Sequence, residues 1–191
     1  MAESGPNICG TVSQAASTPY DDTVWSVPER LTADDGSYAY ITTSSFDTGL
    51  YSYLVKCTNF GFEIPAGATI DGVTVELDSC YETSTWAVAH IKLLDADGVA
   101  QGDDRYSDDG DCTSTSTLAP DILTFGGATE TWGATLSSAV VNDADWGIQF
   151  AIQAKGDDCD ALIDSCGVTV AYTEATPPEF NGIRVTRHIG A

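Results

Sequence analysis

The chain has 191 residues, with 29 acidic and seven basic side chains for a formal net charge of −22. That length suits one domain with a core large enough to need no metal, and a surface so negative repels nucleic-acid phosphates. No run approaches the ~18 consecutive apolar residues of a membrane helix, so neither nucleic acid nor membrane is an expected partner.

The acids are mainly Asp, 21 against eight Glu, and only three residues are Lys. Two readings stand: adaptation to high salt, or an ordinary acidic surface with Asp-rich turns. Thermal unfolding against NaCl separates them. A melting temperature that climbs steeply with salt supports the first, and one that stays flat or falls supports the second.

Taken in chain order, residues 1–20 are small and polar, and the opening MAESGPNICGTVSQ has neither a basic nor an apolar leader segment. They are read as an N-terminal arm, and the protein as made in the cytosol. Short strands are expected at 24–27, 37–42 and 50–57. In NFGFEIPAGATIDGVTVELDS (59–79), Phe60 and Phe62 flank Gly61, point to one side and plug the open end of a sandwich. Pro65 and Gly67 then turn the chain, Pro by fixing φ and Gly by accepting a positive one. Val73, Val75 and Leu77 follow as the inward face of a strand.

Between Trp86 and Leu94, the set Ala87, Ala89, Ile91 and Leu93 alternates with Trp86, Val88, His90 and Lys92. Weaker strands are expected at 121–125 and 131–136. WGIQFAIQ places Trp146, Ile148, Phe150 and Ile152 on one face, and Val168, Val170 and Tyr172 form a last stripe. Turn chemistry separates these runs at 34–36, 65–68, 95–98, 108–111, 126–128 and 156–158.

Period two dominates and helical periodicity is nearly absent. About eight short strands with such breaks predict an all-β, antiparallel two-sheet sandwich over 21–175. A jelly roll is the first choice and an immunoglobulin-like sandwich the second. Residues 176–191 form a C-terminal arm after Pro177-Pro178, whose rings cannot continue a sheet ladder. Its last ten residues carry Arg184, Arg187 and His188 but no acid. The expected partner-binding residues are Phe180, Ile183, Arg184, Val185 and Arg187, with two placements open: on their own subunit, or added to a sheet edge of a neighbour, the favoured one.

Six cysteines and two histidines fit no zinc spacing. Cys80, Cys112 and Cys159 lie at strand ends or turns, where disulfides would staple loops. Cys57 and Cys166 read as small buried hydrophobes. Seven Asp fall within residues 95–111, and Asp95, Asp97, Asp108, Asp109 and Asp111 are the candidates for Ca²⁺. Tyr106 stands where an EF-hand places its Glu, which favours a solvated acidic loop with no cofactor. For sugars, Trp86 is the best stacking platform among the four Trp, since its stripe includes His90 and Lys92. No GxSxG, phosphate loop or triad context appears, so a non-enzymatic role is expected.

YLVKCTNFGFEIPAGATIDGVTVEL, then LTFGGATETWGATLSSAVVNDADWGIQFAI, then ALIDSCGVTVAYT resembles a family of β-sandwich proteins found in tailed-phage and prophage structural modules. The shared segments are aromatic-Gly-Phe-x-Ile-Pro-x-Gly-Ala-x-Ile, Gly-Gly-x-Thr-x-x-Trp-Gly, Asn-Asp-x-x-Trp-Gly and Val-Thr-Val-x-Tyr, spanning about residues 37 to 173. The acids, the cysteines and the tail lie outside the pattern. The resemblance implies a virion component released by lysis: a head decoration or cement protein, or a neck protein. Its implied partners are capsid, neck or tail proteins and further copies of itself. The alternative is a receptor- or glycan-binding module of a tail fibre or surface assembly.

Overall fold

The structure is a computed structural model that describes residues 1–42, 46–81, 84–106, 112 and 121–176, with only the backbone described at Cys80 and Tyr81. Ten strands account for most of it. They are β1 (Ala2–Ile8), β2 (Thr11–Ala15), β3 (Ala39–Thr42), β4 (Leu54–Thr58), β5 (Thr69–Tyr81), β6 (Trp86–Leu94), β7 (Ala100–Gln101), β8 (Asp121–Gly127), β9 (Gly147–Ala154) and β10 (Asp160–Thr173). A 3₁₀ turn at Pro28–Leu31 and a single helical turn, α1 (Ser138–Val141), complete the described elements. Among the described residues no helix is long and apolar enough to cross a membrane.

One sheet runs β1-β10-β5-β8, with β3 also on β10; the other runs β2-β4-β9-β6-β7. Every strand pair is antiparallel. With β2 and β3 set aside, the pairs nest: β6 with β7, β5 with β8, β4 with β9, β1 with β10. Successive pairs fall in alternate sheets, so the chain is one long hairpin rolled into two layers. That connectivity is a jelly roll, as the strand spacing predicts. Six of the eight nested strands, β4, β5, β6, β8, β9 and β10, fall where strands were expected, as does β3, whereas β1, β2 and β7 were not expected.

The core lies between the layers. Val73, Val75 and Leu77 of β5 and Val168 and Val170 of β10 meet Val55 of β4, Ile148, Phe150 and Ile152 of β9, and Ile91 and Leu93 of β6, all buried. At one end, Phe60 and Phe62 stack at 6.2 Å and both set an edge against Trp146, at 6.2 and 5.8 Å. They close the sandwich as expected. The turn after them is also as expected, with Gly67 at φ 81° and the Ala68 N–H donating to Pro65 O.

Three expectations are corrected. The N-terminal segment 1–20 does not stand off as an arm. β1 pairs with β10 from Ala2 opposite Tyr172 to Ile8 opposite Gly167, and β2 pairs with β4. Both are edge strands held by backbone ladders, which need few apolar side chains and so leave little trace in the sequence.

Residues 24–27 form no sheet strand. The Gln14 side chain takes both backbone groups of Trp25 instead, donating to its O and accepting from its N–H, each at 2.9 Å. Residues 131–136 are turns, with Trp132 at φ 58°.

The C-terminal arm residues Phe180, Ile183, Arg184, Val185 and Arg187 lie outside the described residues. The chain leading to them, 174–176, is exposed.

Candidate functional site

Trp86 is not on the surface. The alternation read across 86–94 assumed one unbroken phase, but β6 carries a bulge. Val88 faces Ile152 while His90 faces Ala151, so Ala89 and His90 together oppose one residue of β9. A bulge reverses which side chains point inward. Trp86 and Val88 therefore join Ile91 and Leu93 in the core, and Trp86 is 0 % exposed. Trp25, Trp132 and Trp146 are buried as well. The sugar-stacking role for which Trp86 was the candidate platform is thereby lost.

The same bulge sends His90 to the outer face, where it meets Asp104. His90 Nδ1 lies 2.5 Å from Asp104 Oδ2, and Asp104 Oδ1 accepts from the Ile91 N–H at 2.8 Å. The Gln149 amide nitrogen sits 2.8 Å from His90 Nε2, and the Tyr20 ring stacks over the imidazole at 5.0 Å. An Asp–His pair resembles part of a catalytic relay. Here the amide N–H engages the nitrogen that would accept a nucleophile's proton, and Tyr20 covers the ring. The cluster fastens the 100–106 crossing and the Tyr20 loop to the outer face of the sheet.

The acidic loop does not gather around a centre among the described residues. Asp95 Oδ1 accepts from the N–H groups of Asp97 and Val99, both at 2.9 Å, which makes a turn and not a ligand. Asp108, Asp109 and Asp111 lie outside the described residues.

The carboxylates that do converge are Asp34, Asp78 and Asp164, whose nearest oxygens lie within 4.8 Å of one another. They come from the 34–36 turn, from β5 and from β10, a meeting no linear spacing announces. Asp164 is buried, and its two oxygens accept from the N–H groups of Gly36 at 2.8 Å and Asp35 at 3.4 Å. Asp78 Oδ1 is buried without a hydrogen-bond partner among the described residues. Such a set suits a hard divalent cation in ligand type. Without one, burial and then the charges of Asp34 and Asp164 push the Asp78 carboxyl above its usual range.

The sign of the resulting pH effect follows from linkage. Between the usual carboxylate pKa and the raised folded value, the folded state holds more protons than the unfolded one, so stability rises as pH falls through that window. At neutral pH the charged Asp78 opposes folding in full. Asp78→Asn should therefore melt above the wild type at neutral pH, with the gap closing towards about pH 4. A gap that is constant with pH, or reversed, would contradict this account.

The cysteines are rearranged relative to expectation. Of the two states open to it, bridge or free thiol, Cys159 is a buried thiol, its Sγ donating to the carbonyls of Ser84 and Thr85 at 3.3 and 3.5 Å. Burial and then Asp160 push it up to about 12, so it is unreactive at neutral pH. Cys112 is buried, its N–H donating to Trp86 O at 3.4 Å. The Cys80 side chain lies outside what is described.

Cys57 and Cys166 are core residues as read, but they also meet Cys9, and each of the three thiols contacts the other two. Hydrogen bonds from Cys166 and Cys57 pull Cys9 below the usual thiol range, while burial pushes Cys57 well above it. The missed signal was the inward phase of Cys57 and Cys166, one in each sheet, next to a segment misread as an arm.

The residues that carry the resemblance are structural. The Trp132 indole N–H donates to Val73 O at 2.9 Å, over a glycine whose missing side chain makes room for it, Gly126. Asn142 clamps the 59–68 loop, accepting from the Ile64 N–H and donating to Ile64 O, both at 2.9 Å. Asn142→Ala leaves both backbone groups without these partners, at about 1–3 kcal/mol for each one buried. The expected result is a clear fall in the urea midpoint, and a change within error would refute the clamp.

Comparison with protein-family models, with curated proteins and with solved structures returns no match.

Proposed function

We propose that this protein is a non-enzymatic structural component of a tailed-virus particle. It would be a head decoration or cement protein, or a neck protein, that joins its partners through the C-terminal segment. The observation that carries the reading is the course of β10. This 14-residue strand lies between β1 and β5 and delivers the chain to the exposed residues 174–176. The sequence that follows carries Arg184, Arg187 and His188 in a chain of strongly negative net charge.

Period-two alternation in Ile183 and Val185 lets that segment add to a sheet edge, the geometry of strand augmentation. The shape of the body supports the reading too. The motif residues that carry the resemblance are occupied in packing, and the His90–Asp104–Gln149 cluster is tied up internally. The acidic surface keeps many copies apart until a specific contact forms. The partners are capsid, neck or tail proteins and further copies of the chain. The N-terminal segment takes no part as an arm, since it is built into both sheets. The glycan-binding alternative has no observation in its favour once Trp86 is in the core.

A chain ending at residue 176 tests the proposal. Sedimentation and co-pelleting with purified heads, necks and tails should show the full chain assembling and the truncated chain remaining free. Equal assembly by the two would remove the C-terminal segment from the account. Turnover of a substrate with no particle binding would remove the whole reading.

A further inference from the structure

Cys9, Cys57 and Cys166 are each no more than 1 % exposed, and their thiols touch in all three pairs. Their backbones are not equivalent. Asn7 faces Val168 and Ile8 faces Gly167, and the same register brings Cys9 opposite Cys166, with the Cys9 N–H donating to Cys166 O at 3.2 Å. Hydrogen-bonded residues opposite each other in an antiparallel pair have Cα atoms about 5.5 Å apart, at the centre of the range disulfides use. Their side chains also lie on the same face. Cys57 belongs to the other sheet, opposite Val12 and Ile148. The backbone register therefore sets no obstacle to a bond between Cys9 and Cys166.

We propose that Cys9 and Cys166 form a disulfide-forming site, closed in the folded protein by hydrogen peroxide, with Cys57 remaining a thiol. Cys9 is the attacking sulfur. It sits where the chain crosses from β1 in one sheet to β2 in the other, and its neighbours' S–H bonds favour the thiolate. The thiolate attacks one peroxide oxygen, the O–O bond breaks, and hydroxide leaves as water after taking a proton, giving a sulfenic acid on Cys9. The Cys166 sulfur then attacks the Cys9 sulfur and the S–O bond breaks. The departing hydroxide takes the Cys166 proton and leaves as water. Two thiols are oxidised and one peroxide is reduced to two waters. Peroxide is close to water in size and reaches a buried thiol that a larger oxidant does not. The product pins edge strand β1 to β10 at the seam between the first and last strands, independently of any particle attachment.

The test uses the reduced full-length protein, treated with equimolar hydrogen peroxide while folded, then denatured in a thiol-alkylating agent, digested and mapped by mass. The expected result is the loss of two thiols, with the Cys9 and Cys166 peptides joined and Cys57 alkylated. Amide exchange in residues 2–8 should slow in the oxidised protein and recover with a reductant. Cys57→Ala should still form the bond, and Cys9→Ala should not. A bridge containing Cys57, oxidation that stops at the sulfinic acid on Cys9, or no thiol loss in the folded protein would each overturn the assignment. The mapping needs only the unmutated chain, so a variant that fails to fold does not obscure the answer.

Discussion

Trp146→Ala should lower stability by about 3–5 kcal/mol, the range for removing a large aromatic from a core. Trp146 is 0 % exposed, enters the core immediately before β9, and is the surface on which Phe60 and Phe62 both rest. Truncation therefore takes away its own burial and undercuts two further rings that close the end of the sandwich. The indole Nε1 is buried with no hydrogen-bond partner among the described residues. Phenylalanine at this position consequently loses packing area but no hydrogen bond, and Trp146→Phe should keep most of the stability. Urea unfolding checks both: a large drop in midpoint for alanine, a small one for phenylalanine, and an unchanged slope. An alanine variant within about 1 kcal/mol of the wild type would mean that the end of the sandwich repacks without its Trp.

Gly126→Ala should cost about 2–4 kcal/mol while Gly127→Ala, one position along, costs little. Gly126 has φ 74°, and a Cβ there would lie 2.3 Å from both Val73 O and the Trp132 indole nitrogen. The substitution imposes a left-handed conformation on an L-residue, worth about 1–2 kcal/mol, and forces apart a donor and acceptor that are buried together. A Cβ on Gly127 meets nothing within 4 Å. The pair is therefore internally controlled, because both changes add the same methyl to the same strand. Denaturant midpoints for the two variants should differ clearly. Equal midpoints would show that the indole moves aside at no cost.

These two sites show what a linear reading captures. The stripe Val73, Val75, Leu77 and the stripe Trp146, Ile148, Phe150, Ile152 declare their inward faces by alternation, because a strand with one wet face must alternate. The plug formed by Phe60 and Phe62 and the turn at Gly67 are equally local and equally legible. β1 and β2 were not, since an edge strand is held by its neighbour's backbone and Ala2–Ile8 has few apolar residues to display. The bulge at Ala89 was invisible because an extra residue leaves composition unchanged while reversing the phase on one side of it. That single residue decides that Trp86 points into the core while His90 points to the outer face, where Tyr20 covers it.

The candidate site was less legible still. Asp34, Asp78 and Asp164 come from three distant segments, as do Cys9, Cys57 and Cys166; sheet pairing brings two of each set together, and a packed turn or the facing sheet supplies the third. The segments Gly-Gly-x-Thr-x-x-Trp-Gly and Asn-Asp-x-x-Trp-Gly were readable as motifs, yet their structural part emerged only with the contacts. Gly126 makes space, Trp132 reaches Val73, and Asn142 ties the loop.

Nested pairing also governs how such a chain reaches its final form. The innermost pair joins Leu93 to Gln101, whereas the outermost joins Ala2 to Tyr172. Each pair outward must bring together ends separated by a longer stretch of polymer, at rising entropic cost unless the pairs inside it have already shortened the path. The roll accordingly zips from its middle outwards, on the milliseconds-to-seconds scale of β-proteins rich in distant contacts. Until β10 is made, β1 waits with its edge open, so the pairing of the two strands furthest apart along the nest comes last.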